Sequence, residues 1–170
     1  TNGTTSNLEK YIDKIKNSNT TVRITIDSMD NDISNKVRPY DENQINKIKR
    51  NIELLKQNNV RVSVHTVVTK INYDSIIEIG RYLRKYKIEK WQLYPVNYSE
   101  RCKDFFDEIK VSDEELEKIE KELNKELEKE MLIRVYRNQV DFRAKGVIFA
   151  NSIGEFYTDT IFNGVDMIGE

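Results

Sequence analysis

The chain has 170 residues, 38% apolar and 34% charged, enough for one domain with a core of its own. Its 28 basic and 29 acidic residues leave a net charge of −1, which lacks the basic excess of a nucleic-acid-binding surface. No apolar run approaches the roughly 20 residues that span a bilayer, and one cysteine with one histidine cannot make a four-ligand zinc site or hold a cysteine-ligated iron–sulfur cluster.

Leu8, Tyr11, Ile12 and Ile15 recur at helical spacing after Ser6 and Asn7, either of which suits an N-cap, so a helix is expected over about 7–18. Val22 to Asp27 alternates as Val-Arg-Ile-Thr-Ile-Asp, the pattern of a half-buried strand. Residues 28–42 are polar, and Pro39 discourages a long helix across them. Ile45, Ile48, Ile52 and Leu55 predict a helix over about 42–57, ended by Asn58-Asn59. A strand is expected over Val60–Thr69, a helix over 73–86 and a strand over Lys90–Val96. After residue 100 comes a charged helix at 112–130, with Ser112 and Glu115 spaced as a capping box. A strand at Leu132–Tyr136 follows, then a hairpin over Val147–Asp159 turning near Ser152-Ile153-Gly154, with no closing element expected after it.

Helices alternating with strands over 7–96 imply parallel strands with right-handed crossovers, in a doubly wound sheet or a piece of a (β/α) barrel. The face pattern favours the barrel. Val22, Ile24 and Ile26 oppose Arg23, Thr25 and Asp27; Val60, Val62 and Val64 oppose Arg61, Ser63 and His65; Trp91 and Leu93 oppose Lys90, Gln92 and Tyr94. A sheet between two helical layers is apolar on both faces, whereas these strands are apolar on one. Helices outside and a polar lumen inside satisfy the pattern; a solvent-exposed face in some other fold is the plainer alternative. The expected fold class is therefore α/β, a partial (β/α) barrel over residues 1–100, with the charged helix and β-hairpin of 101–170 as an extension of the same domain.

Four segments in this order, TNG at 1–3, VRITIDS at 22–28, SVHTVVTKIN at 63–72 and WQLYPV at 91–96, resemble the later strands of the radical S-adenosylmethionine (SAM) superfamily barrel, with the viperin-like branch the nearest look-alike. The resemblance implies reductive cleavage of SAM by a [4Fe–4S] cluster held on a CxxxCxxC loop, in an oxidoreductase or transferase. That loop is not in this sequence, and Cys102 lies in a polar stretch past the third strand. The resemblance thus implies a fragment, inactive alone and retaining neither SAM nor cluster, whose first partner is the N-terminal half of its own barrel. Residue by residue it implies Asn2 at the lumen mouth, Thr25 on the ribose or amino-acid part of SAM, Asp27 or Ser28 closing the same strand end, Arg38 on the SAM carboxylate and Val67 against adenine. A hydroxyl both donates and accepts, as a ribose diol requires, and guanidinium binds carboxylate bidentately.

His65, Gln92 and Tyr94 share the lumen parity and are the candidate substrate contacts. A lone strand histidine is as readily structural. Viperin-like enzymes acting on nucleoside triphosphates line these strands with Lys, Asn and Arg. Here Ser63, His65, Lys90 and Gln92 stand there, and only Lys90 keeps a full charge, which argues against a triphosphate. Thr158 stands where members with an auxiliary cluster place a cysteine. The substrate class stays open between small molecule and peptide, with no nucleic-acid or membrane partner expected. The polar opening is unlike a signal peptide and the lone cysteine fits a reducing cytoplasm, the expected compartment. The strand edge at Val22–Asp27 is expected to recruit a second copy as a homodimer. The competing reading is a cluster-less α/β ligand-binding or interaction domain with the same fold.

Overall fold

β-branched residues alternate with polar ones along Thr21–Thr25 (β1) and Arg61–Val68 (β2), and in the computed structural model both segments are strands. The structure describes residues 1, 3–39, 43–98, 102–127 and 131–137, and the backbone of 148–150, 156–160 and 164–167. With Lys90–Pro95 (β3) and Leu132–Val135 (β4), these strands form an all-parallel sheet in the order β1-β2-β3-β4.

The connections are helical. A short 3₁₀ turn, Leu8–Tyr11, runs into Ile12–Asn17 (α1), with Leu8 buried but Tyr11 53% exposed, so Tyr11 does not share the apolar stripe expected of it. No side chain caps the start of either segment, while at the end of α1 the Ser18 hydroxyl donates to Ile15 O at 2.8 Å. Within the expected polar loop, Asn31–Val37 (α2) is a helix. Asp30 caps it, its Oδ1 accepting from Asp32 N at 2.8 Å and Ile33 N at 3.0 Å, and it stops before Arg38-Pro39, because the residue before proline avoids the helical region. Gln44–Gln57 (α3) and Ile76–Lys85 (α4) are the expected helices, and Phe106–Ile109 (α5) is a single further turn. Asp113–Leu127 (α6) begins with the expected capping box: Glu115 N donates to Ser112 Oγ at 3.2 Å and Ser112 N to Glu115 Oε2 at 2.7 Å. Its Glu117–Lys121 pair closes at 2.5 Å.

One continuous core lies between the helices and the apolar side of the sheet. Ile24, Val62, Val64, Trp91 and Leu93 meet Ile45, Ile48, Ile52 and Leu55 of α3, Ile76, Ile79 and Leu83 of α4, and Leu116, Ile119, Leu123 and Leu127 of α6, all buried. Gly80 lets α4 and α6 close over β3. A Cβ there would stand 2.5 Å from Leu127 Cδ1 and 3.1 Å from Trp91 Cζ3.

The sheet does not stop near residue 100. α6 is the crossover that carries the chain from β3 to β4, whose Trp91↔Ile133 and Leu93↔Val135 register continues the apolar face. Residues 112–135 are thus one more helix–strand unit of the sheet rather than an appended segment. At the other edge, Thr1 N donates to Arg23 O at 3.0 Å and Thr25 N to Thr1 O at 3.2 Å, the bond pair of a parallel bridge along the outer side of β1. Separately, Ile148–Ala150 (β5) pairs antiparallel with Phe156–Thr160 (β6), as the hairpin predicts, although its turn lies outside the described residues. A third strand, Gly164–Met167 (β7), pairs with β6 where no closing element was expected. No helix among the described residues is long and apolar enough to cross a membrane.

Candidate functional site

Parallel pairing in register stacks the polar side chains into rows across the face opposite the helices. The first row is Arg23–Ser63–Lys90–Leu132 and the second Thr25–His65–Gln92–Arg134; Val67 and Tyr94 pair in the third. Asp27 joins the third row through its Oδ1, which accepts from Val67 N at 2.9 Å, and Tyr136 through its ring, stacked on Tyr94 with centroids 4.5 Å apart and planes 8° off parallel.

A hydrogen-bonded cluster occupies the centre of this face. Gln92 Nε2 donates to the phenol oxygens of Tyr94 at 2.9 Å and Tyr136 at 2.8 Å, so its Oε1 faces His65 Nε2 at 3.1 Å. That orientation makes Nε2 the protonated nitrogen of a neutral His65 and leaves the Nδ1 lone pair as acceptor. His65 also leans against the Tyr94 ring, 5.0 Å between centroids. Burial, then the positive charges of Arg23 and Lys90, hold its pKa below the usual histidine value against the opposing bond from Gln92. The two phenols split. Burial and the neighbouring Tyr136 push Tyr94 up; burial raises Tyr136 too, but hydrogen bonds from Arg134, Gln92 and Tyr94 outweigh it and pull Tyr136 down.

The C-terminal ends of β1 and β2 are locked by one side chain. Asn72, fully buried, donates through Nδ2 to Asp27 O at 2.6 Å and Val67 O at 2.8 Å, and accepts on Oδ1 from Thr69 N at 2.8 Å and Thr69 Oγ1 at 3.0 Å. This is the asparagine that closes the SVHTVVTKIN segment. One strand position away, Thr66 Oγ1 donates to Ile26 O at 2.6 Å and accepts from Trp91 Nε1 at 2.9 Å, which ties β1, β2 and β3 together on the core side.

The residues expected to touch SAM divide into two groups. Thr25, Val67 and Arg38 are partly or largely exposed at the strand ends; Arg38 is 45% exposed and its Nε donates to Asp27 Oδ2 at 3.0 Å. Asp27 and Ser28 are enclosed. Asp27 is 3% exposed, with one carboxylate oxygen on Arg38 and the other on Val67 N; Ser28 is fully buried, its Oγ accepting from Asp30 N at 3.1 Å. Their side chains thus position Arg38 and the start of α2 rather than lining open space. Asn2 lies outside the described residues, as does the side chain of Thr158. His65, Gln92 and Tyr94 do come together, and the structure adds two residues beside them, Arg134 and Tyr136. The signal for both was the alternation Leu-Ile-Arg-Val-Tyr at 132–136, legible once that strand joins the sheet. Arg134, with Arg23, also changes the charge of the face, which is more positive than Lys90 alone makes it.

The donor set does not fit an iron–sulfur cluster. Cys102 is the sole thiol, buried, with its Sγ directed to Asn97 O at 3.7 Å, and among the described residues no three His, Cys, Asp or Glu side chains gather as a metal site.

No family model matches this sequence, and no curated protein matches it. Solved structures do. The crystal structure of Streptococcus suis SuiB bound to S-adenosylmethionine superposes with a TM-score of 0.60 at 15% identity, over 79% of this chain and 30% of that one. A second crystal structure of SuiB gives 0.57 at 14% identity, over 88% and 36%. The chain spans about a third of the length of the SuiB chains it matches. At this identity the likeness is one of fold. It agrees with the fold expected from the sequence, a parallel α/β arrangement matching part of a radical SAM-like barrel, and lends nothing to the viperin-like branch.

Proposed function

We propose that this chain forms part of the SAM and substrate pocket of a radical SAM enzyme whose [4Fe–4S] cluster is carried by residues other than these 170. The observation that carries the reading is the one-sided sheet. Its apolar face is sealed by helices while its other face presents hydroxyl, imidazole, amide, phenol and guanidinium groups, in a fold shared with SuiB, which was crystallised with S-adenosylmethionine. In such a pocket Thr25 Oγ1 would take the ribose or amino-acid part of SAM and Val67 would pack on adenine. Arg38, braced by Asp27, would take the carboxylate. A guanidinium held by a buried carboxylate loses less freedom when it binds, which suits it to that role. When bound, SAM supplies a carbon radical on reductive cleavage. The residues of this chain contribute binding, orientation and exclusion of water. His65, Gln92 and Tyr94 would face the substrate.

The test is anaerobic iron–sulfur reconstitution of the complete product of the encoding gene, with the 170 residues alone in parallel. The readouts are visible cluster absorption and release of 5′-deoxyadenosine from SAM. The reading expects both from the complete product and neither from the 170 residues. A complete product that takes up no cluster would leave the fold as that of a ligand-binding domain without radical chemistry.

A further inference from the structure

Around its centre the polar face carries three cations that no described carboxylate neutralises; a fourth, Arg61, lies at the N-terminal end of β2 and donates to Asn19 O and Oδ1. Arg23 and Lys90 flank Ser63 in the first row, and Arg134 lies beside Gln92 in the second, diagonal to Lys90. Strand spacing puts Arg23 about 10 Å from Lys90, and Lys90 about 8 Å from Arg134, between Cα atoms, well within the combined reach of the side chains. The described strand residues of this face include no acid, and Asp27, just past the end of β1, has its carboxylate already occupied by Arg38 and Val67 N. Arg23 and Arg134 are exposed, and Lys90 is partly so. The three charges converge on the His65–Gln92–Tyr94–Tyr136 cluster. Arg23 and Lys90 act on His65, Arg23 and Arg134 on Tyr94, and Arg134 hydrogen-bonds Tyr136.

Like charges set within one Debye length of each other repel. A sheet face that gathers three of them around polar and aromatic groups is arranged for a ligand of opposite charge. Arg38 lies elsewhere. Its partner Asp27 is two residues past the end of β1 and four along the chain from Arg23, up to about 13 Å for extended backbone.

We infer that the substrate of this pocket carries an oxyanion group, a carboxylate or a phosphate, held by Arg23, Lys90 and Arg134 beside the His65–Gln92 pair and separate from the Arg38 position. The inference rests on the reading of this face as a ligand pocket and adds the charge class of the second ligand. Guanidinium and ammonium groups bind both oxyanions, so the two are told apart by experiment. An anion seated there would accept from Arg134 and Lys90 and place its attached group over the stacked Tyr94–Tyr136 rings.

Isothermal titration of the complete gene product with inorganic pyrophosphate, with citrate and with SAM, in separate arms at physiological salt, tests this. The expected result is saturable binding of pyrophosphate or citrate, whichever binds assigning the oxyanion. The Lys90→Gln/Arg134→Gln protein should weaken it at least about tenfold, since charge-assisted hydrogen bonds to an anion carry that much each. A Lys56→Gln/Lys85→Gln protein, with the same charge change at the C-terminal ends of α3 and α4, serves as the control and should bind the anion as the unmodified protein does. Equal weakening in both variants, or no saturable binding of either anion, would overturn the inference. SAM binding without anion binding would remove this inference and leave the SAM pocket standing. Anion binding that depends on Lys90 and Arg134, in a protein without SAM affinity, would keep the oxyanion site and remove the SAM reading.

Discussion

Replacing Asn72 by alanine tests whether one buried side chain sets the geometry of the strand ends. Its amide makes four bonds, to Asp27 O, Val67 O, Thr69 N and Thr69 Oγ1, between 2.6 and 3.0 Å, from a fully buried position. Alanine removes all four and leaves two carbonyls and one N–H without that partner. A net hydrogen bond is worth about 1 kcal/mol, and a buried group left unsatisfied costs about 1–3 kcal/mol. Partial access of water near the partly exposed Val67 lowers the sum, so Asn72→Ala should destabilise by about 3–4 kcal/mol, at the upper end of single-substitution effects. With a urea m-value of about 2 kcal/mol/M for a domain of this size, the midpoint falls by about 1.5–2 M. Urea unfolding followed by Trp91 fluorescence reads this directly, because Trp91 is the only tryptophan and is fully buried. Asn72→Asp is the companion. The carboxylate keeps both acceptor bonds but turns a charged oxygen toward the carbonyls of Asp27 and Val67, so it should be no more stable than the alanine protein at neutral pH. A loss below about 1 kcal/mol for Asn72→Ala would refute the reasoning, since it would mean that solvent replaces these bonds at little cost.

Further outcomes follow from the same geometry. Gly80→Ala gains about 1 kcal/mol of helix propensity but pushes a methyl against Leu127 and Trp91, an overpacking worth about 1–3 kcal/mol; calorimetry should show a lower Tm, and an unchanged or higher one would mean that α6 yields freely. The imidazole of His65 should titrate by NMR below the ordinary histidine value, and Lys90→Gln should move it upward. Because its folded pKa is depressed, the unfolded chain binds the proton more tightly. Stability from this group is then fully present above the unfolded pKa and lost as pH falls through the folded one, and His65→Gln should flatten that slope. In a spectrophotometric phenol titration Tyr136 should ionise before Tyr94, and Arg134→Gln should delay it; a Tyr136 unaffected by that substitution would remove Arg134 from the cluster. Ser112→Ala, which loses the cap on Glu115 N, should cost about 1 kcal/mol.

Much of this architecture follows from local pattern. Periods of two over 22–27, 60–69 and 90–96, and of three to four over 44–57, 76–85 and 113–127, are set by which side of an element is buried, so strands, helices and the apolar side of the sheet can be read along the chain. The capping box from Ser112 to Glu115 is equally local, spanning four residues. α2 was missed because its seven residues carry almost no apolar stripe, and Asp30 alone marked its start.

What the tertiary structure decided is non-local. Whether 132–135 stands apart or completes the sheet depends on Leu116, Ile119, Leu123 and Leu127 of α6 finding Trp91 and the α4 face across Gly80, and no local period encodes that docking. With β4 in place, Arg134 and Tyr136 arrive beside Gln92, and the phenol–amide–imidazole cluster exists. Asp27 shows the converse. Parity alone put Asp27 on the ligand side, but the bonds from Arg38 and Val67 that enclose it join segments distant in sequence, while Ser28 is held locally by Asp30 N. The sequence by itself determined most of the elements and the facing of the sheet, because alternation records burial; α2 and β7 were among the exceptions. The pairing of side chains across strands belongs to register and docking, which only the packed core fixes.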